Sequence, residues 1–182
     1  VIVIDDQLGG TPSSGPPGPV LSTVADGNLS QPGVITYNSG IAGTVWAVNV
    51  TTGLSKPVVG PFKMDLNSVN VSSSGPGTLN IYLTDTDFDL PAGTYTFTNA
   101  IGGTTNGTVF AQAYTDSLNW EFYMSQSATP LMGPFGPGAF SGTASGTNNL
   151  NGLFSMTEWV QIVHASGGVT SFDKELTVPE PG

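Results

Sequence analysis

The chain has 182 residues, 38% hydrophobic and only 9% charged, so it is long enough to build a core but draws its solubility from Thr, Ser and Asn rather than from ion pairs. Thirteen acids stand against Lys56, Lys63 and Lys174, with no arginine and a net charge of −10, which excludes nucleic acid and anionic membrane surfaces because both need clustered basic residues. Cysteine is absent; that removes disulfides, thiolate catalysis, iron–sulfur clusters and covalent haem, and no apolar run reaches the roughly 20 residues of a membrane-spanning helix.

Val1 to Ile4 is a continuous β-branched run stopped by Asp5 and Asp6, the pattern of a strand that wants cover on both faces. Residues 9–19, GGTPSSGPPGP, have no side chain able to pack and read as a semi-stiff linker. Fully extended, that linker reaches about 36 Å, against a radius of gyration of about 16 Å for a globule of this length. The predicted organisation is a detached N-terminal strand (residues 1–8), the linker (9–19), one folded domain (20–178) and a short tail (179–182).

From Val20 onward, period-two segments alternate with Gly, Pro and Asn turn signals. The predicted strands are Val20–Ala25, Val34–Tyr37, Thr44–Val50, Val58–Lys63, Asp65–Ser72, Leu79–Thr84, Thr94–Thr98, Thr108–Tyr114, Trp120–Met124, Ala139–Ala144, Leu153–His164 and Thr170–Val178. No window combines a helical period with good helix formers. Many short strands without a helix predict an all-β, two-sheet antiparallel β-sandwich of jelly-roll type.

The inventory for catalysis is thin. His164 is the single imidazole and falls at the end of a predicted strand, so a core-margin histidine is expected rather than a zinc ligand or triad member. Glu121 and Glu158 are the one carboxylate pair that suits glycoside cleavage. Glu158, however, interrupts the apolar face of its strand as Lys174 interrupts another, which predicts an ion pair between neighbouring strands. Asp85, Asp87 and Asp89 (DTDFD) resemble a fragment of an oxygen-rich calcium loop, while their alternation equally fits a solvated strand edge. Calcium is thus the one candidate cofactor, and no enzyme is expected. Trp46, Trp120 and Trp159 would stack sugars if exposed together, and otherwise pack in the core. Asn28, Asn49, Asn70 and Asn106 begin Asn-x-Ser/Thr sequons.

The sequence ends Ser171-Phe-Asp-Lys-Glu-Leu-Thr-Val-Pro-Glu-Pro-Gly182. A last strand running into Pro179-Glu180-Pro181 resembles the C-terminal region of bacterial PEP-CTERM proteins, and the passage from Phe154 to Pro181 is similar to their sandwich ectodomains. That resemblance implies export, processing by an exosortase and residence at the cell surface or in extracellular polymer. The family's transmembrane helix and basic tail do not follow here, as expected either if processing removes them or if the sequence stops short of them; a first residue that is not Met suggests an N-terminus from which a signal segment was removed. Two functions are expected to compete. In one, Val1, Ile2, Val3 and Ile4 are donated to the next copy's sheet, giving a head-to-tail extracellular homopolymer. In the other, the chain is a monomeric surface module that binds polysaccharide or calcium.

Overall fold

The computed structural model describes residues 2–5, 22–24, 32–40 and 44–178; Val1, the linker of residues 9–19 and the Pro179–Pro181 motif lie outside them. Among the described residues there are eleven strands: β1 (Ile2–Asp5), β2 (Ser22–Val24), β3 (Val34–Gly40), β4 (Trp46–Leu54), β5 (Lys63–Ser73), β6 (Gly77–Thr105), β7 (Thr108–Asp116), β8 (Gln126–Ser127), β9 (Met132–Phe135), β10 (Gly138–His164) and β11 (Gly168–Thr177). All pairings are antiparallel, and no helix occurs among the described residues.

Hydrogen bonding runs continuously in the order β3-β4-β5-β11-β6-β10-β7-β8, yet the register divides it into two layers. β11 pairs with β6 only over Thr98–Thr105. β1 pairs with β6 over Asn80–Leu83, and β7 pairs with β10 over Ser155–Val163. The first half of β6 and the second half of β10 therefore belong to one sheet with β1, β2, β7, β8 and β9, and their other halves to a second sheet with β3, β4, β5 and β11.

Both ribbons change layer where the ladder slips, between Leu150 and Gly152 and between Phe154 and Met156. Gly152 has φ +82° and Asp87, facing the second slip, has φ 60°; left-handed residues at such bulges let a strand turn a corner without ending. The sequence pattern divides these ribbons into shorter strands, Leu79–Thr84 and Thr94–Thr98 in one and Ala139–Ala144 and Leu153–His164 in the other; the segments between them, residues 85–93 and 145–152, do not end the strands. They are instead the bends of two long ones.

The alternating residues of both layers point at each other. Leu79, Ile81, Leu83, Phe154, Met156, Val160 and Ile162 face Val69, Val71, Phe97, Ile101, Phe172 and Leu176 in one buried cluster. Phe154 of the first sheet lies 5.6 Å from Phe88 and meets Phe97 of the second edge-on at 6.5 Å. Each such side chain contributes about 1.5–3 kcal/mol through burial, which is how a fold without disulfides is held. The predicted two-sheet sandwich is thus present.

Three expectations are corrected. The N-terminal strand is not detached: the backbone of Ile2–Asp5 pairs with β2 and with the chain's own β6. Residues 56–62 form turns rather than a strand over Val58–Lys63. Trp120–Met124 is a loop, because Asn119 and Phe122 adopt φ of 60° and 58°, which breaks the extended backbone its alternation suggested.

Candidate functional site

The loop of residues 117–125 folds back over the outer face of the first sheet. Its Phe122 and Met124 join Tyr82, Tyr114 and Trp159 in a second buried cluster, with Phe122 set edge-on to Tyr82 at 6.5 Å. Beneath it, Trp159 Nε1 and Gln161 Nε2 both donate to Asn80 Oδ1 at 3.1 Å. The alternation of Trp120, Phe122 and Met124 is therefore amphipathic in fact, although the covered face belongs to a loop.

This packing leaves Trp120 outside. It is 52% exposed, and its ring stands edge-on to Tyr123 with centroids 4.8 Å apart. Its backbone is held at both ends. The Trp120 N–H donates to Asp116 Oδ2 at 3.2 Å, and Ser155 Oγ donates to the Trp120 carbonyl at 2.8 Å. Asp116 is itself buried and accepts from Ser125 Oγ at 2.7 Å.

A reciprocal pair fastens the loop to β6. The Asp87 N–H donates to Asn119 Oδ1 at 2.8 Å, and Asn119 Nδ2 donates to Asp87 Oδ1 at 2.7 Å. The Phe122 N–H adds a bond to Thr84 Oγ1 at 3.3 Å. An aromatic side chain half in water on a backbone fixed this firmly is a preorganised contact surface. Leu118 and Leu153 are also exposed large apolar side chains, the former in the same loop and the latter two residues from Ser155.

The aspartate run has been divided among other duties. Asp85 accepts from Lys56 Nζ at 2.9 Å and from Ser55 Oγ at 2.5 Å, and Lys56 sits 4.1 Å from the centre of the Phe88 ring. Asp87 belongs to the Asn119 pair, and Asp89 stands opposite Leu153. Among the described residues no three His, Asp or Glu side chains come together as a metal site, so the structure does not assemble Asp85, Asp87 and Asp89 into a calcium loop.

The other candidates are also separated. Glu121 is exposed, whereas Glu158 is fully buried and accepts from Lys174 Nζ at 2.9 Å; the two do not share a site. The predicted ion pair is real, but β10 and β11 are not neighbours, so it bridges the two facing sheets. Burial pushes the Glu158 carboxyl up against the pull of Lys174 and pushes the Lys174 ammonium down against the pull of Glu158. His164 is buried, tilted against Trp46 with ring centroids 5.1 Å apart, and bonded through Nδ1 to Ser73 Oγ at 2.7 Å and through Nε2 to Thr170 Oγ1 at 2.8 Å. Trp46 and Trp159 are core residues, and of the three tryptophans Trp120 alone is exposed.

Three depressions mark the surface of the described residues, the smallest of about 450 Å³ beside Asn49, Asn70 and Val169. One of about 640 Å³ is lined by Ile35, Pro57, Pro61 and Leu83 with Lys56 and Asp85 at its wall, their charges already satisfied by each other. Another, of about 600 Å³, lies on the outer face of the second sheet and is polar, with Asp65, Asn67, Ser141, Asp173 and Glu175 along it.

No protein-family model matches the chain, and no curated protein does. Among solved structures it is similar to the enzymatically active domain of tailspike protein 4 of bacteriophage CBA120, with 12% identity, a TM-score of 0.45 and coverage of 87% of this chain but 22% of that one. The K1 cleaved adhesin domain of Lys-gingipain from Porphyromonas gingivalis W83 aligns at 11% identity and a TM-score of 0.41, over 84% of this chain and 93% of that one. A carbohydrate-binding module of the β-sandwich superfamily aligns at 16% identity and a TM-score of 0.40, over 85% and 59%. Fold and site on their own define the class: an antiparallel β-sandwich with a rigid exposed aromatic on one face.

Proposed function

We propose that the chain is a non-catalytic module of the cell surface or extracellular matrix that binds a neutral polysaccharide. The observation that carries this reading is Trp120, half exposed beside Tyr123 and anchored by hydrogen bonds at both its N–H and its carbonyl. A flat indole covers the apolar C–H face of a pyranose ring, while nearby amides take the hydroxyls; Asn119, next to Trp120 in the chain, keeps a second amide hydrogen beyond its bond to Asp87 to do so. A net charge of −10 repels uronate or sulfate chains, which leaves neutral glycans as the ligand class. The likeness of the Ser171–Gly182 ending to PEP-CTERM proteins supports export to the surface.

The test is titration calorimetry or affinity electrophoresis against a panel of neutral and acidic polysaccharides. Binding to at least one neutral polymer, little altered by salt, is expected. Failure to bind any neutral member overturns the proposal.

A second reading, the head-to-tail fibre, draws on the pairing of Ile2–Asp5 with Asn80–Leu83. The identical strand from another copy fits the same slot in the same register, and the Gly/Pro linker of residues 9–19 has the reach to deliver it.

A further inference from the structure

Among the described residues, two buried side-chain polar atoms lack a hydrogen-bond partner: Asn99 Oδ1 and Glu158 Oε2. They belong to one neighbourhood. On the second sheet Leu176 stands opposite Asn99 and Lys174 opposite Ile101, so Lys174 is the diagonal neighbour of Asn99, about 7–8 Å away at the backbone and within reach of a long side chain. Both side chains point into the core, where Asn99 is 0% and Lys174 1% exposed.

From the facing layer, Glu158 meets Lys174 Nζ at 2.9 Å. Asn99 Nδ2 approaches Thr129 Oγ1 at 3.4 Å, which also accepts from the Ala113 N–H at 3.3 Å; Ala113 is the cross-strand partner of Glu158. The register and these contacts thus set an amine, a carboxamide and a carboxyl along one buried stretch of the core. Without a covalent link the three are costly, since buried charges and open acceptors need full hydrogen bonding.

We propose that Lys174 and Asn99 are joined by an intramolecular amide bond, with Glu158 as the proton carrier. A proton passes from the Lys174 ammonium to the Glu158 carboxylate, leaving a neutral amine and a neutral acid. Nζ then attacks Asn99 Cγ, the Nζ–Cγ bond forms and the Cγ–Nδ2 bond breaks. Glu158 gives its proton to the departing nitrogen and takes one from Nζ, so one ammonia leaves and Glu158 ends protonated.

No oxidant or cofactor is needed. Burial already favours the neutral forms of Lys174 and Glu158. In the product the protonated Glu158 has a hydrogen to donate to the former Asn99 oxygen, so both orphan atoms acquire partners. The bond ties β6 to β11 and supplies the covalent closure that a chain without cysteine cannot obtain from a disulfide.

The experiment is mass spectrometry of the intact, denatured protein together with a tryptic map. Trypsin has two usable sites, after Lys63 and Lys174, because Lys56 precedes Pro57. The expected result is a mass lower than the sequence by one ammonia, with cleavage after Lys174 abolished and no peptide beginning at Glu175. Full sequence mass with release of that peptide overturns the proposal. Loss of one water instead places the bond on Glu158 and overturns it equally. Glu158→Gln is expected to retain the full mass; loss of ammonia in that variant refutes the role of Glu158. Should the variant fail to fold, the wild-type mass and map still decide. None of these readouts depends on polysaccharide binding.

Discussion

Replacing Trp120 by alanine separates the binding surface from the fold that carries it. A tryptophan offers about 200 Å² of burial, and Trp120 leaves 52% of its surface in water, so roughly 100 Å² awaits a ligand. At about 25 cal/mol per Å², covering most of that area contributes about 2 kcal/mol, or about a 30-fold change in Kd. Trp120→Ala is therefore expected to weaken polysaccharide binding by about that factor in titration calorimetry. Its melting temperature should fall by only a few degrees, because the anchoring bonds are made by the backbone and survive the change. Trp120→Phe should recover part of the affinity. Unchanged binding by a folded Trp120→Ala protein refutes the assignment of the site.

Three further outcomes follow from the geometry. Burial holds His164 below its ordinary pKa of 6.5; the unfolded chain therefore takes up a proton that the folded one refuses, and stability falls as the pH drops below about 6.5. His164→Gln should flatten that slope in melts between pH 5 and 8, and an unaltered slope rules out His164 as its source. Burial, opposed by Lys63, raises the Asp65 carboxyl above its ordinary 3.8, so its ionised form is a cost at neutral pH. Asp65→Asn should raise the melting temperature at pH 7 and lose its advantage in acid below about pH 3.8; a variant less stable at pH 7 contradicts this. Deleting residues 1–10 should abolish any polymer seen by light scattering while leaving a folded subunit, and equal masses with and without the deletion dispose of the fibre.

Much of the architecture is legible in the amino acids because burial imposes a period of two. Leu79, Ile81 and Leu83, or Phe172, Lys174 and Leu176, announce their faces directly, and the exceptions Glu158 and Lys174 announce each other. What the pattern does not carry is which strand lies across from which. The ion pair was expected along one sheet and instead crosses the core, since alternation specifies a face and says nothing of the partner beyond it. Length was misjudged for a related reason: Gly152 and Asp87 have the chemistry of chain reversal, yet here they bend ribbons that continue. The loop around Trp120 was misread as a strand because Phe122 and Met124 alternate as a strand would. The one local hint was Asn119, a residue type that tolerates the left-handed conformation. The aspartates of residues 85–89 misled by composition, since Lys56 and Asn119, both remote in sequence, claim two of them.

β11 lies between β5 and β6, in the interior of the second sheet rather than at its margin. Until residues 168–177 have emerged from the ribosome, that layer has a vacant lane through its middle, and β3, β4 and β5 have nothing to join. Premature folding in the order of synthesis is thereby blocked. A chain kept from closing in this way locks its second layer only when residues 168–177 take their place between β5 and β6.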